Sequence, residues 1–193
     1  MRPEPRKGFH RAVRTEHISS AAPVITRLPA TGIPAAARDL AALLRDAVEG
    51  GSSIGFLAPL DPAEATAWWE GLAPEVADGG TAVWVARSGG RILGTVQLRF
   101  CGMPNGRHRA EMAKLIVHRD ARGRGLGRRL LATAEREAAA SGVRLLVLDT
   151  QTGSPAEHLY RSAGWTEAGT IPDYAADTEG VLRPTTLFHK KPL

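Results

Sequence analysis

Apolar positions along the chain fall into two rhythms, and each change of rhythm marks the start of a new element. Val24 to Leu28 reads as a strand. Ile33 to Val48 then sets Leu40, Leu43, Leu44 and Ala47 on one helical face and stops at Gly50-Gly51. Asp61-Pro62-Ala63-Glu64 is a capping box with proline at the first helical position, which predicts one helix through Trp68 and Leu72 to about Val76, with Trp68 and Trp69 as packing anchors. Thr81 to Ala86 and Ile92 to Phe100 flank Ser88-Gly89-Gly90, the pattern of an antiparallel hairpin. After a loop from Gly102 to His108 come a strand (Ala110 to Val117), an amphipathic helix (Gly125 to Ser141) and a further apolar strand (Val143 to Asp149), together a βαβ unit. Ser154-Pro155-Ala156-Glu157 is a second capping box for a short helix ending at Gly164, and Trp165 to Ile171 and Thr185 to His189 close the chain as strands. The order β-α-α-β-β-β-α-β-α-β-β is that of an α/β protein.

Composition narrows the picture. A chain of 193 residues with 43% hydrophobic content suits one globular domain, expected over residues 24–193. No apolar run is long enough for a bilayer, and Met1 to Arg14 is basic without the apolar core of a signal peptide, so a cytoplasmic location is expected. The net charge is +5, but residues 1–23 hold five Arg/Lys against two Glu, leaving about +2 for the remainder. Those first 23 residues lack apolar periodicity and read as a flexible basic extension, so no nucleic-acid partner is expected. The lone Cys101 reads as a buried structural thiol. Six scattered histidines show no i, i+4 pair, and no metal is expected.

The chemistry concentrates at Arg122-Gly123-Arg124-Gly125-Leu126-Gly127-Arg128, between a strand and a helix. Glycines at 123, 125 and 127 can take backbone angles closed to other residues and turn successive N–H groups onto phosphate oxygens. The following helix adds a partial positive charge, and Arg122, Arg124 and Arg128 add full ones. A Walker loop would need Lys-Ser/Thr after the last glycine, and a dinucleotide fingerprint would need the first strand of a repeated βαβ array; neither fits. Arg122-x-x-Gly125-x-Gly127 instead resembles the coenzyme A signature of the GCN5-related N-acetyltransferases (GNAT). The alternative is a glycine turn with solvated arginines.

The resemblance implies the GNAT fold, a mixed, mostly antiparallel central sheet with helices on both faces, and acetyl-CoA as cosubstrate. It implies that backbone N–H groups of Leu115, Ile116 and Val117 meet the acetyl carbonyl and pantetheine, with Leu126 in the phosphate loop. Tyr160, in Leu159-Tyr160-Arg161-Ser162-Ala163-Gly164-Trp165, resembles the family tyrosine that protonates the leaving sulfur; a phenol with pKa near ~10 suits that task. Two departures stand out: Arg119 replaces a common proline, and Gly153-Ser154 replace an asparagine that contacts pantetheine, leaving the Ser154 hydroxyl for that contact.

Strand alternation places Glu111 on one face with Ala113, Leu115 and Val117, and Asp149 ends the next strand, where ligands of open α/β sheets gather. The two carboxylates are candidates to hold the acceptor ammonium and remove its proton. An ordinary central strand for residues 115–117, a rim salt bridge for Glu111 and a loop cap for Asp149 fit their residue types equally, whereas a tyrosine on a short amphipathic helix is more often a core residue, a preference that the motif around Tyr160 reverses. His108-Arg109-Ala110-Glu111, Leu148-Asp149-Thr150, Ala67-Trp68 and Ile171-Pro172-Asp173-Tyr174 resemble family members that acetylate amino-acid-like toxins. The expected function is therefore acetyl transfer to a small-molecule amine by a monomer or homodimer. Acetylation of a protein or peptide N-terminus and a non-catalytic acetyl-CoA-binding module are the alternatives.

Overall fold

A computed structural model describes residues 22–192. Its elements are β1 (Val24–Leu28), α1 (Ile33–Glu49), α2 (Pro62–Glu70), α3 (Ala73–Ala77), β2 (Thr81–Ser88), β3 (Arg91–Phe100), β4 (Arg109–Val117), α4 (Leu126–Ala140), β5 (Leu145–Gln151), α5 (Pro155–Ser162), β6 (Thr166–Ala176) and β7 (Leu182–Lys190). One seven-stranded sheet runs in the order β1-β2-β3-β4-β5-β7-β6. Every pairing is antiparallel except β4 with β5. The mixed, mostly antiparallel α/β sheet is thus as expected. Of the expected extension, only Ala22 and Pro23 are described, and the Pro23 carbonyl accepts a bond from Arg129 at 2.8 Å. Residues 1–21 lie outside the described part.

Two apolar clusters separate across the sheet. One gathers Leu126, Leu130, Leu131 and Ala134 of α4 with Leu93, Val96 and Leu98 of β3 and Tyr160 and Phe188. The other gathers Leu40, Leu43 and Leu44 of α1 and Trp69 of α2 with Val83, Val85 and Ile116. Gly94 lets α4 settle on the first face, since a Cβ there would lie 2.8 Å from Leu130 Cδ1 and 2.9 Å from the Ile116 carbonyl.

Three local expectations are corrected. The single helix from residue 61 is broken at Gly71 and Leu72, because Pro74 has no N–H to continue the ladder and disfavours helical geometry at Ala73. β6 runs on through Pro172 to Ala176; as the sheet's edge strand it can hold a proline, and its register slips between Ile171 and Ala175, where Asp173 takes φ +51°. Cys101 is half-buried rather than fully enclosed, just beyond the end of β3.

The Ser154 capping box forms and is extended by a buried carboxylate. Ser154 Oγ accepts the Glu157 N–H at 3.2 Å, while Glu157, 8% exposed, accepts from Gly153 N–H at 2.5 Å, Arg161 at 2.8 Å and Thr186 Oγ1 at 3.2 Å. Burial alone would raise the Glu157 carboxyl, but the Gly153, Arg161 and Thr186 bonds outweigh it and hold the group below its ordinary value. This network seats α5, and with it Tyr160, against β7.

Two predictions follow from packing. Because its folded-state affinity for protons is depressed, Glu157 stabilises the protein above the ordinary carboxylate range and loses that effect as pH falls. Glu157→Gln should therefore lower Tm at pH 7, with the gap to wild type narrowing as pH drops through and below 4.5; a gap that widens on acidification would refute the assignment. Gln97 is fully buried on β3, and neither amide atom has a hydrogen-bond partner among the described residues. Gln97→Met removes that desolvation penalty at similar shape and should gain about 1 kcal/mol, roughly 2–4 °C in Tm. A drop in Tm would mean that the amide is bonded in solution.

Candidate active site

β4 and β5 run together for only three residue pairs, Arg109 with Leu145, Ala110 with Leu146 and Glu111 with Val147. Beyond that point β4 stays with β3, and β5 stays with β7 as far as Gln151, so the two parallel strands part. His118 donates its N–H to Leu93 O at 2.9 Å. Since ladder groups alternate in direction along a strand, Val117, and before it Leu115, turn their amides into the gap, whereas Ile116 faces Thr95 of β3. Of the three amides expected to meet a ligand, Ile116's is engaged by the sheet.

The phosphate loop follows. Gly123 and Gly125 take φ +73° and +74°, left-handed angles that favour glycine, and all of 122–125 is exposed. α4 begins at Leu126 with Gly125 as its N-cap and no side chain capping its first amides. Gly127 departs from the expectation: it is helical, and its missing side chain instead admits Leu159, whose Cδ2 would lie 3.3 Å from a Cβ. Arg122 donates from Nε to the Val117 carbonyl at 3.0 Å. Arg128 turns away to the C-terminal end of α5, binding Ser162 Oγ at 2.8 Å and its carbonyl at 3.2 Å. Arg122 and Arg124 remain beside the loop amides.

Arg119, the departure from the family pattern, has a partner on α1. Its backbone N–H and guanidinium both bind the Asp46 carboxylate, and the guanidinium also reaches the Asp46 carbonyl at 3.1 Å. The loop is thereby riveted to the helix on the opposite face of the sheet. Ser154 caps α5 and lies 3.3 Å from Thr150 Oγ1, so its hydroxyl is already shared.

Glu111 does not share a face with Leu115 and Val117. Ala110 and Met112 point to the α4 cluster, and so do Leu115 and Val117, so an extra residue has entered between them. The register between β3 and β4 slips between Thr95 and Gln97, and Lys114 takes φ +48°. This bulge puts Glu111 and Ala113 on the α1 face, opposite to Leu115 and Val117. There Glu111 meets Arg99 at 3.7 Å. A cavity of about 430 Å³ opens beside the pair, lined also by Arg109, Leu145 and Val147.

Asp149 is exposed on β5, two residues past the last β4–β5 pair, and alternates with the buried Leu148 of the α4 cluster, so it faces the same side as Glu111. Tyr160 is almost wholly buried against Trp165 and Phe188 on the other side. Burial, reinforced by the Asp149 charge, raises its phenol far above the ordinary value, so the group keeps its proton at neutral pH. The structure thus brings Asp149 into electrostatic reach of Tyr160, and Glu111 and Asp149 into reach of a third group that sequence reading passed over.

That group is Lys114. From the bulge its Nζ crosses to the segment between α1 and α2, donates to Ile54 O at 2.8 Å, and lies over the rings of Trp68 at 5.3 Å and Phe56 at 5.6 Å. Burial, then the Arg99 charge, lower it to about 8, against the opposing pull of Glu111 and Asp149. A lysine interrupting the run Met112-Ala113-Lys114-Leu115-Ile116 was the available signal. The same segment is tied at its other side to the β6–β7 hairpin by Ser53 Oγ to Ala176 O (3.2 Å) and Ala58 N–H to Thr178 O (2.8 Å), forming a strap over this end of the sheet.

Among the described residues no helix is long and apolar enough to cross a membrane, and no cluster of His, Cys, Asp and Glu could hold a metal ion. Comparison with known proteins accords with the geometry. An Azospirillum brasilense IAA acetyltransferase is 37% identical over 84 residues, 43% of this chain and 51% of that protein. The chain spans about half the length of the curated relatives it matches, 51% and 43% for two of them. The solved structure of a ribosomal-protein-alanine N-acetyltransferase from Brucella melitensis superposes with a TM-score of 0.70 at 28% identity, covering 87% of this chain and 99% of that one. At 21% identity, the Salmonella typhimurium acetyltransferase yncA, solved with its cofactor acetyl-CoA, shares the fold with a TM-score of 0.70 over 90% of this chain and 95% of its own. The family model for the Acetyltransferase (GNAT) family matches residues 42–165, which contain the parted strands, the glycine loop and Tyr160. The chain belongs to the GNAT acetyltransferase family.

Proposed function

We propose that this protein transfers the acetyl group of acetyl-CoA to the amine of a small, amino-acid-like molecule by direct attack. The observation that carries the reading is the parting of β4 from β5 beside an uncapped α4 N-terminus. Strand amides and helix amides are thereby offered along one line, the first set suited to an amide-bearing pantetheine arm and the second to a diphosphate. Bound acetyl-CoA supplies the acyl group as a thioester.

The chain's own groups divide the remaining work. Gly123 to Gly127 and Arg122 and Arg124 hold the diphosphate. The amides of Leu115 and Val117 donate to the arm and to the carbonyl oxygen as it gains charge. Asp149, with Glu111 beside it, holds the acceptor ammonium and takes its proton, directly or through water. Asp149 is the better base, because Glu111 already faces the Arg99 guanidinium. Nitrogen would attack the acyl carbon and the carbon–sulfur bond break, Tyr160 donating its proton to the departing thiolate and regaining one, through water, from the newly acylated nitrogen. Among the described residues Cys101 is a free thiol and Ser154 Oγ is shared with Thr150 and the Glu157 N–H, so the reading takes direct attack without a covalent acyl-enzyme.

The toxin-directed version of this reading draws on the sequence likeness at residues 108–111, 148–150 and 171–174 to the tabtoxin resistance protein, and makes an antibiotic or toxin the acceptor to try first. A second reading, acetylation of a protein N-terminus, draws on the 28% identity to the structure named for ribosomal-protein alanine. The strap over residues 53–58 favours a compact acceptor.

Thiol release from acetyl-CoA should accompany incubation with amino acids or β-lactam amino acids and not with peptides; turnover on peptides alone would replace the first reading with the second. Cofactor binding without turnover on any amine would leave a binding module. Gly125→Val, forced into a left-handed angle, should raise the acetyl-CoA KM at least tenfold. Tyr160→Phe should lower kcat by about 10²-fold with KM little changed, and an unchanged kcat would remove the proton-donor role.

A further inference from the structure

We infer that Lys114 is an acceptor-specificity residue, its ammonium receiving a carboxylate of the acceptor while the acceptor's amine lies at Asp149. The inference rests on the small-acceptor reading above and names the chemical class within it: aminocarboxylates.

Lys114 Nζ has three N–H donors, and the one acceptor found for it among the described residues is the neutral carbonyl of Ile54. Among the described residues no carboxylate lies within ion-pair distance: Glu111 is paired with Arg99 instead, and Asp149 acts on the lysine only through its field. Desolvated cations in folded proteins are normally matched by an anion or a full set of acceptors. Aromatic faces at 5.3 and 5.6 Å soften the desolvation without filling the remaining donor sites.

Backbone strain points the same way. A non-glycine residue at φ +48° in mid-strand is an uncommon arrangement that persists where the surrounding structure enforces it, and such positions cluster at ligand sites. The strap is shaped around this side chain too, since a Cβ at Gly55 would lie 3.4 Å from Nζ. The charged groups facing Lys114 are Arg99 from β3, Glu111 from β4 and Asp149 from β5; α2 and the strap contribute Trp68, Phe56 and Ile54. Carboxylates for an ammonium and an ammonium for a carboxylate thus stand side by side at the parting of the strands. That is the charge pattern an aminocarboxylate complements, and one that a plain amine or diamine does not.

The test pairs amino acids with their amides under saturating acetyl-CoA, using wild type, Lys114→Met and Lys114→Arg. Wild type should prefer each acid over its amide at least tenfold in kcat/KM, the preference shrinking as pH rises past about 8 and the ammonium is lost. Lys114→Met should erase the preference by raising KM for the acid well beyond any change in KM for the amide, and Lys114→Arg should restore part of it. Equal losses for acid and amide, or a wild type indifferent to the carboxylate, would overturn the inference while the acetyltransferase reading stands. A readout independent of turnover is the NMR titration of Lys114 Nζ with an N-acetylated amino acid or its amide. The acid should raise the lysine's titration point and the amide should not. Absence of that shift overturns the inference even if no acceptor is ever acetylated, whereas absence of turnover with the shift present removes only the activity.

Discussion

Two parallel strands that cannot stay together organise this molecule. β4 and β5 share three residue pairs and then part, because β4 bends with β3 through the bulge at Lys114 while β5 remains in register with β7 to its end. Main-chain groups left without a strand partner are normally a liability in a protein interior. Here they border a gap whose far end is the positive end of α4, and the family's cofactor has the amides and phosphates to match both.

Keeping the gap open takes structure on both sides. On the α4 side, Gly94 and Gly127 let the helix approach the sheet and α5 closely, and the Glu157 network holds α5 so that Tyr160 reaches the region from below. On the α1 side, Lys114 pins the strap to β4, and the strap's other edge is bonded to the β6–β7 hairpin. Charge is laid out accordingly: exposed arginines at the glycine loop, and interleaved Arg99, Glu111, Lys114 and Asp149 at the opposite end, where their signs nearly cancel. The net positive charge of the chain therefore says little about this end of the sheet.

Sequence made most elements legible because hydrophobic periodicity, caps and glycine turns are local. Asp61 and Ser154 cap their helices as their spacing implies, and Gly89 and Gly90 both take positive φ in the β2–β3 turn. What escaped is what depends on a neighbour. The bulge exists only in the pairing of β4 with β3, so a period-two count from Val117 back to Glu111 crossed it unaware and assigned the wrong face. Lys114 carries no motif; its significance comes from the strap that folds over it. Gly127 belonged to a recognised motif, yet its role is the close approach of Leu159 and not a turn.

The Asp46 rivet joins matters that the two faces of the sheet would otherwise keep apart. Asp46 lies one turn before the end of α1, where the chain leaves the helix to become the strap, and Arg119 opens the stretch that leads into the glycine loop. Arg122 lies close by, its Nη1 3.8 Å from where a Cβ on Gly50 would sit. The glycine loop and the strap are therefore both anchored at the foot of α1, one through the Asp46–Arg119 bonds and the other through the chain itself.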